Sequence, residues 1–557
     1  MLPCGNDISF QFANGDLRTF SIDGTEIIQR IYFAVRDETW LNIEPLLHNL
    51  SSAVDGCTAV YSYDLLFQEK KVNFTAHIVT RIDTHTGRLQ VEASGEALSD
   101  FRKNRIGLCM HLNASLKGSR CDVVHTDGSR SSVELPILVS SHQPILNIRQ
   151  MELRKGHLKA EFIFEGDIFE MEDQRNWTDA SYKIYSTPLG LPFPVAVKKG
   201  DQFHQKISVT TTSIAEAGRP PQSESPYGTM VLLPFPRLGT AIPDNFSFED
   251  FNEPVGNGAF PFSYLRIDFH LYSNGWKEKA TGNALLAQEK QIPIYAMLYF
   301  SDRHEKELVD FLTFLDTFQL RNDIVCAALL SSTDFVLSDS ILDWLIPKLR
   351  STLPGVKTGA GTDANFAQLN RNRPSAERVD FLCYSIHPQE HASDKLSIIE
   401  NIKGGFDTVR TAQSFVNTKQ VHISSLSFFR RFNANIDTIC PENRIEKYRY
   451  AAGNLEAGWF IGTINELALA GTEAITAIFH PSGSSPLLEL FRKLANHPPE
   501  YLMADCSTLP ATYALLSWQS KGRRYTVVAN LTDEALNLRH GELDLQLKPY
   551  EIKYVDP

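Results

Sequence analysis

Residues 216–227 read EAGRPPQSESPY, a stretch of proline, serine and charge with almost nothing apolar to bury, so it cannot belong to a core and marks a boundary. The rhythm of the chain differs on its two sides. Upstream, residues 8–212 run in short alternating segments broken by turn residues, as at Asn14-Gly15-Asp16 and Thr84-His85-Thr86-Gly87. A period of two sends successive side chains to opposite faces, which predicts antiparallel sheets packed as a sandwich, larger than the roughly 100 residues of an immunoglobulin-type domain. Downstream, strand candidates at 230–233, 264–270, 292–298, 324–329, 356–362, 381–386, 421–426 and 475–479 alternate with amphipathic stretches such as 304–318, 340–349 and 445–469. Eight such units over about 250 residues have the count and size of a (β/α)8 barrel. An open doubly wound sheet is the alternative, but no Gly-x-Gly-x-x-Gly follows an early strand. Strands return at 525–530, 543–547 and 550–555. The expected organisation is multidomain α/β plus all-β: an N-terminal β-sandwich at 1–213, a linker at 214–228, a TIM-type (β/α)8 barrel at 229–498 and a small C-terminal β domain at 499–557.

Composition narrows the function classes. With 43% apolar and 22% charged residues the 557-residue chain is neither collagen-like nor disordered. Its 54 basic and 66 acidic side chains give a net charge of −12 without a Lys/Arg run, so neither nucleic acid nor an anionic membrane surface is an expected partner. Apolar runs such as 292–300 have strand length, short of the roughly 20 residues of a spanning helix. Residues 1–12 carry no secretion signal, and a cytoplasmic location is expected. The eight cysteines are scattered without a Cys-x-x-Cys pair, so free buried thiols are expected and no metal or cofactor is called for. The oligomeric state is left open.

In a barrel, polar residues at the C-terminal strand ends converge on one mouth. The second strand carries Arg266, Asp268 and His270 in alternation, directed to one side, either as an ion pair filling the barrel or with a direct role. The fifth strand runs through Gly359 and Gly361 to Asp363 and Asn365, followed by Asn370, Arg371 and Arg373. Its glycines would allow a ligand close to the backbone, and the amides and guanidinium groups suit hydroxyls and a carbonyl. The sixth strand exits through His387-Pro388-Gln389-Glu390-His391, where Pro388 argues against aiming both histidines at one metal, while His387 suits an acid, base or hydrogen-bond donor. Asn252-Glu253-Pro254 looks like a glycosidase general-acid motif but lies between strands one and two. The exits of strands four and seven, Ser331-Ser332-Thr333-Asp334 and Ser424-Ser425-Leu426-Ser427, lack the glutamate pair of a retaining enzyme.

The densest polar cluster lies near the end of the sandwich, where residues 164–183 read FEGDIFEMEDQRNWTDASYK. Carboxylates, amides, Arg175 and Lys183 around one indole suit a polyol or sugar-acid site, with Trp177 as a stacking platform. The segment EGDIFEMEDQRNWTDASYKIYSTPLGLPFP resembles the signature segment of the D-apionate lactonase family, also called D-apionolactonases. The likeness continues through 31–37, 265–268, 361–374 and 384–391 in the family's order. The resemblance implies hydrolysis of a small, uncharged sugar-acid lactone, D-apionolactone to D-apionate, in apiose catabolism. Such a reaction needs a base for water, donors for the oxyanion and an acid for the leaving alkoxide. The clustering suggests Glu172 or Asp173 as base, Arg175 and Asn176 as carbonyl donors and His387 as acid, with Trp177, Asp179, Lys183, Arg266, Asp268, Asn365 and Arg371 positioning the substrate. The chain departs from the family at strand eight, reading Phe479-His480-Pro481-Ser482-Gly483 where many members have Glu-Thr-Thr-Gly, which raises a paralogue with altered or lost activity. A barrel glycoside hydrolase and a non-catalytic carbohydrate-binding protein are the alternative readings.

Overall fold

A computed structural model describes residues 7–213, 230–242, 260–375, 378–415, 420–431, 453–479, 485–505 and 511–557. The expected linker, Asn252-Glu253-Pro254 and His480 lie outside the described residues. The chain divides into two compact units, Met1–Arg175 with Ala180–Gln222, and Asn176–Asp179 with Ser223–Pro557. The C-terminal strands fall in the same unit as the barrel.

The first unit is built from strands. Val72–Asp83 shows why: its buried positions alternate with exposed or half-exposed ones along the whole strand, as one face turned to a core requires. Sixteen strands form one connected sheet, with Ile8–Ala13 at one end of the hydrogen-bonded path and Pro45–Asp55 at the other. The sheet doubles back on itself. Phe33 meets Phe67 and Phe74 with ring centroids 6.0 Å apart, and Phe12 stacks on Tyr61 at 4.2 Å. These contacts close the β-sandwich around a single apolar core. Near the path's middle, Thr25–Asp37, Phe101–Asn113, Ser181–Tyr185 and Phe169–Asp173 lie side by side, which sets Glu172 opposite Lys183.

In the second unit, Arg237–Ala241, Tyr264–Phe269, Ile294–Phe300, Ile324–Ser331, Lys357–Asn365, Phe381–Ile386, Val421–Ser427 and Ala474–Ile478 pair in parallel and close into an eight-stranded barrel. The first strand differs from expectation. The apolar segment Met230–Pro234 pairs antiparallel with Tyr501–Asp505 instead, and joins Tyr513–Ser520, Arg523–Asn530 and Ile552–Val555 in a five-stranded sheet. The barrel's own first strand begins with Arg237 and is less apolar, so it gave a weaker signal. Helix Asn454–Leu469 unites tail and barrel, since Gly458 lies against Leu531 and Ala529, and Gly462 against Ile402 and Ala514.

The expected role of the fifth-strand glycines also changes. A side chain at Gly359 would meet the Phe381 ring at 2.1 Å, and one at Gly361 the Cys383 carbonyl oxygen at 2.0 Å, so the bare backbone admits the neighbouring strand rather than a ligand. Of the cysteines, Cys109, Cys121, Cys326 and Cys383 are free and buried as expected, whereas Cys57 is disulfide-bonded. Among the described residues no helix is long and apolar enough to cross a membrane.

Tyr264, Tyr295, Met297, Tyr299, Phe381 and Cys383 help to fill the barrel interior. Phe381 stacks on His422 with centroids 3.8 Å apart and occupies the space left by Gly359. Phe381→Ala should therefore lower the stability of the barrel unit by about 3–5 kcal/mol, read as a lower urea midpoint; an unchanged midpoint would show that Phe381 is not a core residue.

Candidate active site

Arg266 on the second barrel strand is fully buried and spends its donors on protein acceptors. Nε and Nη2 reach the two oxygens of Asp268 at 2.6 and 2.9 Å; Nη1 and Nη2 reach those of Asp363 at 3.0 and 2.7 Å; Nη1 also donates to the Ser424 carbonyl at 2.7 Å. Asp363 additionally accepts from the Tyr299 hydroxyl at 3.0 Å, Ser385 Oγ at 3.1 Å, Ser424 Oγ at 3.0 Å and Arg431 Nη1 at 2.7 Å. Burial would raise its pKa, but Arg266 and Arg431 more than offset this and hold it below the ordinary carboxylate range. The alternation read from sequence does bring Arg266 and Asp268 into the barrel. Their geometry is that of an ion-pair network joining strands two, three, five, six and seven. His270 lies just past the second strand, stacked on Tyr299 at 4.6 Å, and burial lowers its pKa, which favours the neutral ring.

Beyond this network, four consecutive residues belong to the barrel unit although the chain around them belongs to the sandwich. Asn176 Oδ1 accepts from Asn370 Nδ2 at 2.9 Å, and Arg373 Nη2 donates to Asn370 Oδ1 at 2.8 Å. Trp177 is buried, with the Arg371 guanidinium over its ring at 5.5 Å and His391 edge-on at 5.9 Å. One ring face is thus covered by Arg371, so Trp177 has the geometry of a wall rather than of an open platform. Thr178 has a positive φ of 66°, uncommon for a β-branched residue, and its hydroxyl donates to the His387 carbonyl at 3.0 Å. Its own carbonyl oxygen sits 1.9 Å from where a Gly404 side chain would begin, so this close approach requires glycine. Asp179 binds His391 Nδ1 through one oxygen and Asn401 Nδ2, at 2.6 Å, through the other.

At the sixth-strand exit the two histidines turn to separate carboxylates. His387 Nε2 lies 3.2 Å from Glu390, while its Nδ1 accepts the Gln389 backbone N–H at 3.3 Å. Glu390 also accepts from Asn365 Nδ2 at 3.0 Å and faces Arg430 at 3.7 Å. Burial opposes its ionisation, but the His387 hydrogen bond and nearby positive charge bring the pKa down to about 2. Both ring nitrogens of His387 are engaged by protein groups, a geometry suited to positioning Glu390 and Asn365 rather than to acid catalysis.

The remaining sequence-derived residues lie in the sandwich unit. Asp173 and Arg175 are fully buried: Arg175 Nε and Nη2 bind the two Asp173 oxygens at 2.8 and 2.7 Å, and its Nη groups also donate to the carbonyls of Ile137 and Pro136. The Ser140 N–H donates to Asp173 at 2.9 Å. This is a structural clamp, and it leaves neither residue the geometry of a base or carbonyl donor. Glu172 is half-buried opposite Lys183, whose amine burial brings down to about 8. Sequence reasoning named Asp179 but not its pairing with His391, and it gave no role to Asn401, Arg431 or Tyr299. Asp179 and His391 are 212 positions apart, so no local pattern joins them.

Two outcomes check this account. Asp363→Asn leaves Arg266 and Arg431 without their shared countercharge and should cost about 3–5 kcal/mol in urea unfolding; a wild-type midpoint would contradict the network. Glu390, depressed in the folded state, contributes stability that is fully present above its unfolded pKa of roughly 4.3. That contribution should be lost as the pH falls from there through about 2. Glu390→Gln should flatten this part of the acid-unfolding profile, and an unaltered profile would count against the assigned partners.

Residues 4–214 match the family model described as D-apionate lactonase, N-terminal domain, and residues 258–514 match D-apionate lactonase, TIM barrel domain. A D-apionate lactonase of Brucella anthropi is 26% identical over 458 residues, covering 76% of this chain and 72% of that protein. Among solved structures, a GH30 endoxylanase from Clostridium papyrosolvens C71 gives a TM-score of 0.37 at 11% identity, covering 56% of this chain and 84% of that one. A conserved exported protein from Bacteroides fragilis gives 0.40 at 9%, covering 58% and 97%. Likenesses this low carry no argument about function. With both domain models matched in order, the chain belongs to the D-apionate lactonase family.

Proposed function

We propose that the protein is a lactonase that hydrolyses D-apionolactone to D-apionate in apiose catabolism, with the reaction at the barrel mouth. The observation that carries this reading is the mouth itself. Within one unit it gathers two imidazoles, each held by a carboxylate, beside a buried indole and the amide of Asn365. Family membership supports the substrate class, and the name of the Brucella anthropi relative supports the lactone. Opening a lactone needs a polarised carbonyl, a water that loses a proton and a leaving alkoxide that gains one, for which a near-neutral imidazole is better suited than an ionised carboxylate. Asn365 and Arg371 are the donors we assign to the lactone carbonyl and hydroxyls, and Trp177 the wall against the ring carbons. His387 and Glu390 fix Asn365. Glu172 and Lys183, opposite one another in the sandwich sheet, have no part in the assigned chemistry.

The glycosidase alternative requires a protonated carboxylic acid. Glu390 and Asp363 are instead held ionised by their neighbours, which favours the lactonase reading.

The test is acid release from D-apionolactone followed with a pH indicator against the spontaneous rate, with an aryl glycoside in parallel. Enzyme-dependent acid at a rate proportional to protein is the expected result. Release of the aryl group without lactone opening would select the glycosidase, and binding of the lactone without turnover would select a non-catalytic protein.

A further inference from the structure

The middle strands of the sandwich turn one face to its core through Phe33, Val35, Leu108, Met110 and Ile184. Alternation sends Tyr32, Ala34 and Arg36 to the other face, with Arg105, Cys109, Lys183 and Tyr185 beside them on the paired strands. Tyr32, Ala34, Cys109 and Tyr185 pack together there, and three cations stand around them. Arg36 lies directly opposite Arg105 in the strand pairing. The Arg105 guanidinium lies over two rings, 5.1 Å from the centre of Trp40 and 3.9 Å from that of Tyr185, and the Lys183 amine is 5.4 Å from the same Tyr185 ring. The rings hold the cations in place but offer their N–H groups no acceptor oxygen.

What these cations lack is an anion. Among the described residues Arg105 and Lys183 make no hydrogen bond and no ion pair, while Arg36 gives Nη1 to the Trp40 carbonyl at 3.3 Å and keeps Nη2 buried without a partner. Arg36 and Arg105 are each only 7% exposed and Lys183 only 4%, so water does little to solvate them. Glu170, on the neighbouring strand, is taken by the Tyr185 hydroxyl and by the Leu189 N–H at 2.7 Å. Elsewhere the chain meets its buried guanidinium groups with carboxylates, Arg18 with Asp16, Arg175 with Asp173 and Arg266 with Asp268 and Asp363. A buried cation without a countercharge is costly, and here three are gathered in a chain whose net charge is −12. Burial first, with Arg36 and Arg105 adding to it, brings the Lys183 amine down to about 8, the mark of a positive field that an anion would relieve.

We propose that Arg36, Arg105 and Lys183 form a binding site for a tetrahedral oxyanion, either inorganic phosphate or the phosphoryl group of a small phosphate monoester. The guanidinium of Arg105, the ammonium of Lys183 and one nitrogen of Arg36 carry more N–H groups than the two oxygens of a carboxylate accept, and a phosphoryl group has the oxygens to meet them. All three residues belong to the sandwich unit, and the site takes no part in the lactone chemistry assigned above.

Two measurements test the site. In the first, inorganic phosphate, ribose 5-phosphate and acetate are titrated calorimetrically, at constant ionic strength, into the natural sequence, Arg105→Gln and Lys183→Gln, each checked for a native urea midpoint. The natural sequence should bind one phosphate or phosphate ester per chain, and each substitution should weaken that binding at least about tenfold. Tighter binding of inorganic phosphate identifies the free ion as the ligand, and tighter binding of ribose 5-phosphate a monoester; both support the site. No binding to the natural sequence, equal affinity in the folded variants, or acetate bound as tightly as phosphate overturns it. The second measurement needs no variant: reductive methylation of Lys183 with formaldehyde, read by mass spectrometry. Saturating phosphate should slow it at least about fivefold relative to chloride of equal ionic strength, because the amine is then covered by the ligand. The exposed Lys198 should be methylated at the same rate in both salts. Equal rates at Lys183 in the two salts overturn the proposal.

Discussion

A guanidinium cannot remain in a barrel interior without anions to meet it, and the arrangement of this barrel follows from how Arg266 meets that condition. Two carboxylates from different strands bracket it, and the inner one, Asp363, draws in Tyr299, Ser385, Ser424 and Arg431 to complete its hydrogen bonds. Five strands are thereby tied together at one level. The fifth strand then ends on Asn365, and the sixth on the turn that holds His387, Glu390 and His391. The ion-pair network fixes the strand ends, and the strand ends fix the mouth.

The second constraint comes from residues 176–179. They are flanked on both sides by sandwich strands, yet their contacts are with the barrel's fifth and sixth exits and the helices after them. Asn176 ties to the helix after strand five, Thr178 to the backbone just past strand six, and Asp179 to the histidine beyond it. No residue of the four is left over. The same contacts explain why a run of polar residues at this point in the chain includes a buried tryptophan.

How far the sequence revealed all this can be argued from particular positions. The barrel was legible because strands such as Ile294–Phe300 are apolar on both faces and recur between helical stretches, a signal that needs no tertiary information. The first strand was misplaced because Arg237–Ala241 lacks the apolar run that Met230–Pro234 has, and only pairing partners tell the two apart. The polar cluster at 164–183 was visible as a cluster, but its division was not. Alternation along Phe169–Asp173 sends Glu172 and Asp173 to opposite faces, and Asp173 ends against Arg175 in the interior. The pairing of Asp179 with His391 had no local trace, because 212 positions of chain separate the two residues.

Family membership fixes the neighbourhood of the function, and the mouth supplies a chemical reason for it. The most direct test of the account is a structure with D-apionate bound. The account predicts the product carboxylate within ~3 Å of a donor of Asn365 or Arg371, with the sugar carbons against Trp177. A carboxylate bound beyond reach of both, whether elsewhere on the barrel or on the sandwich face that carries Glu172 and Lys183, would contradict it.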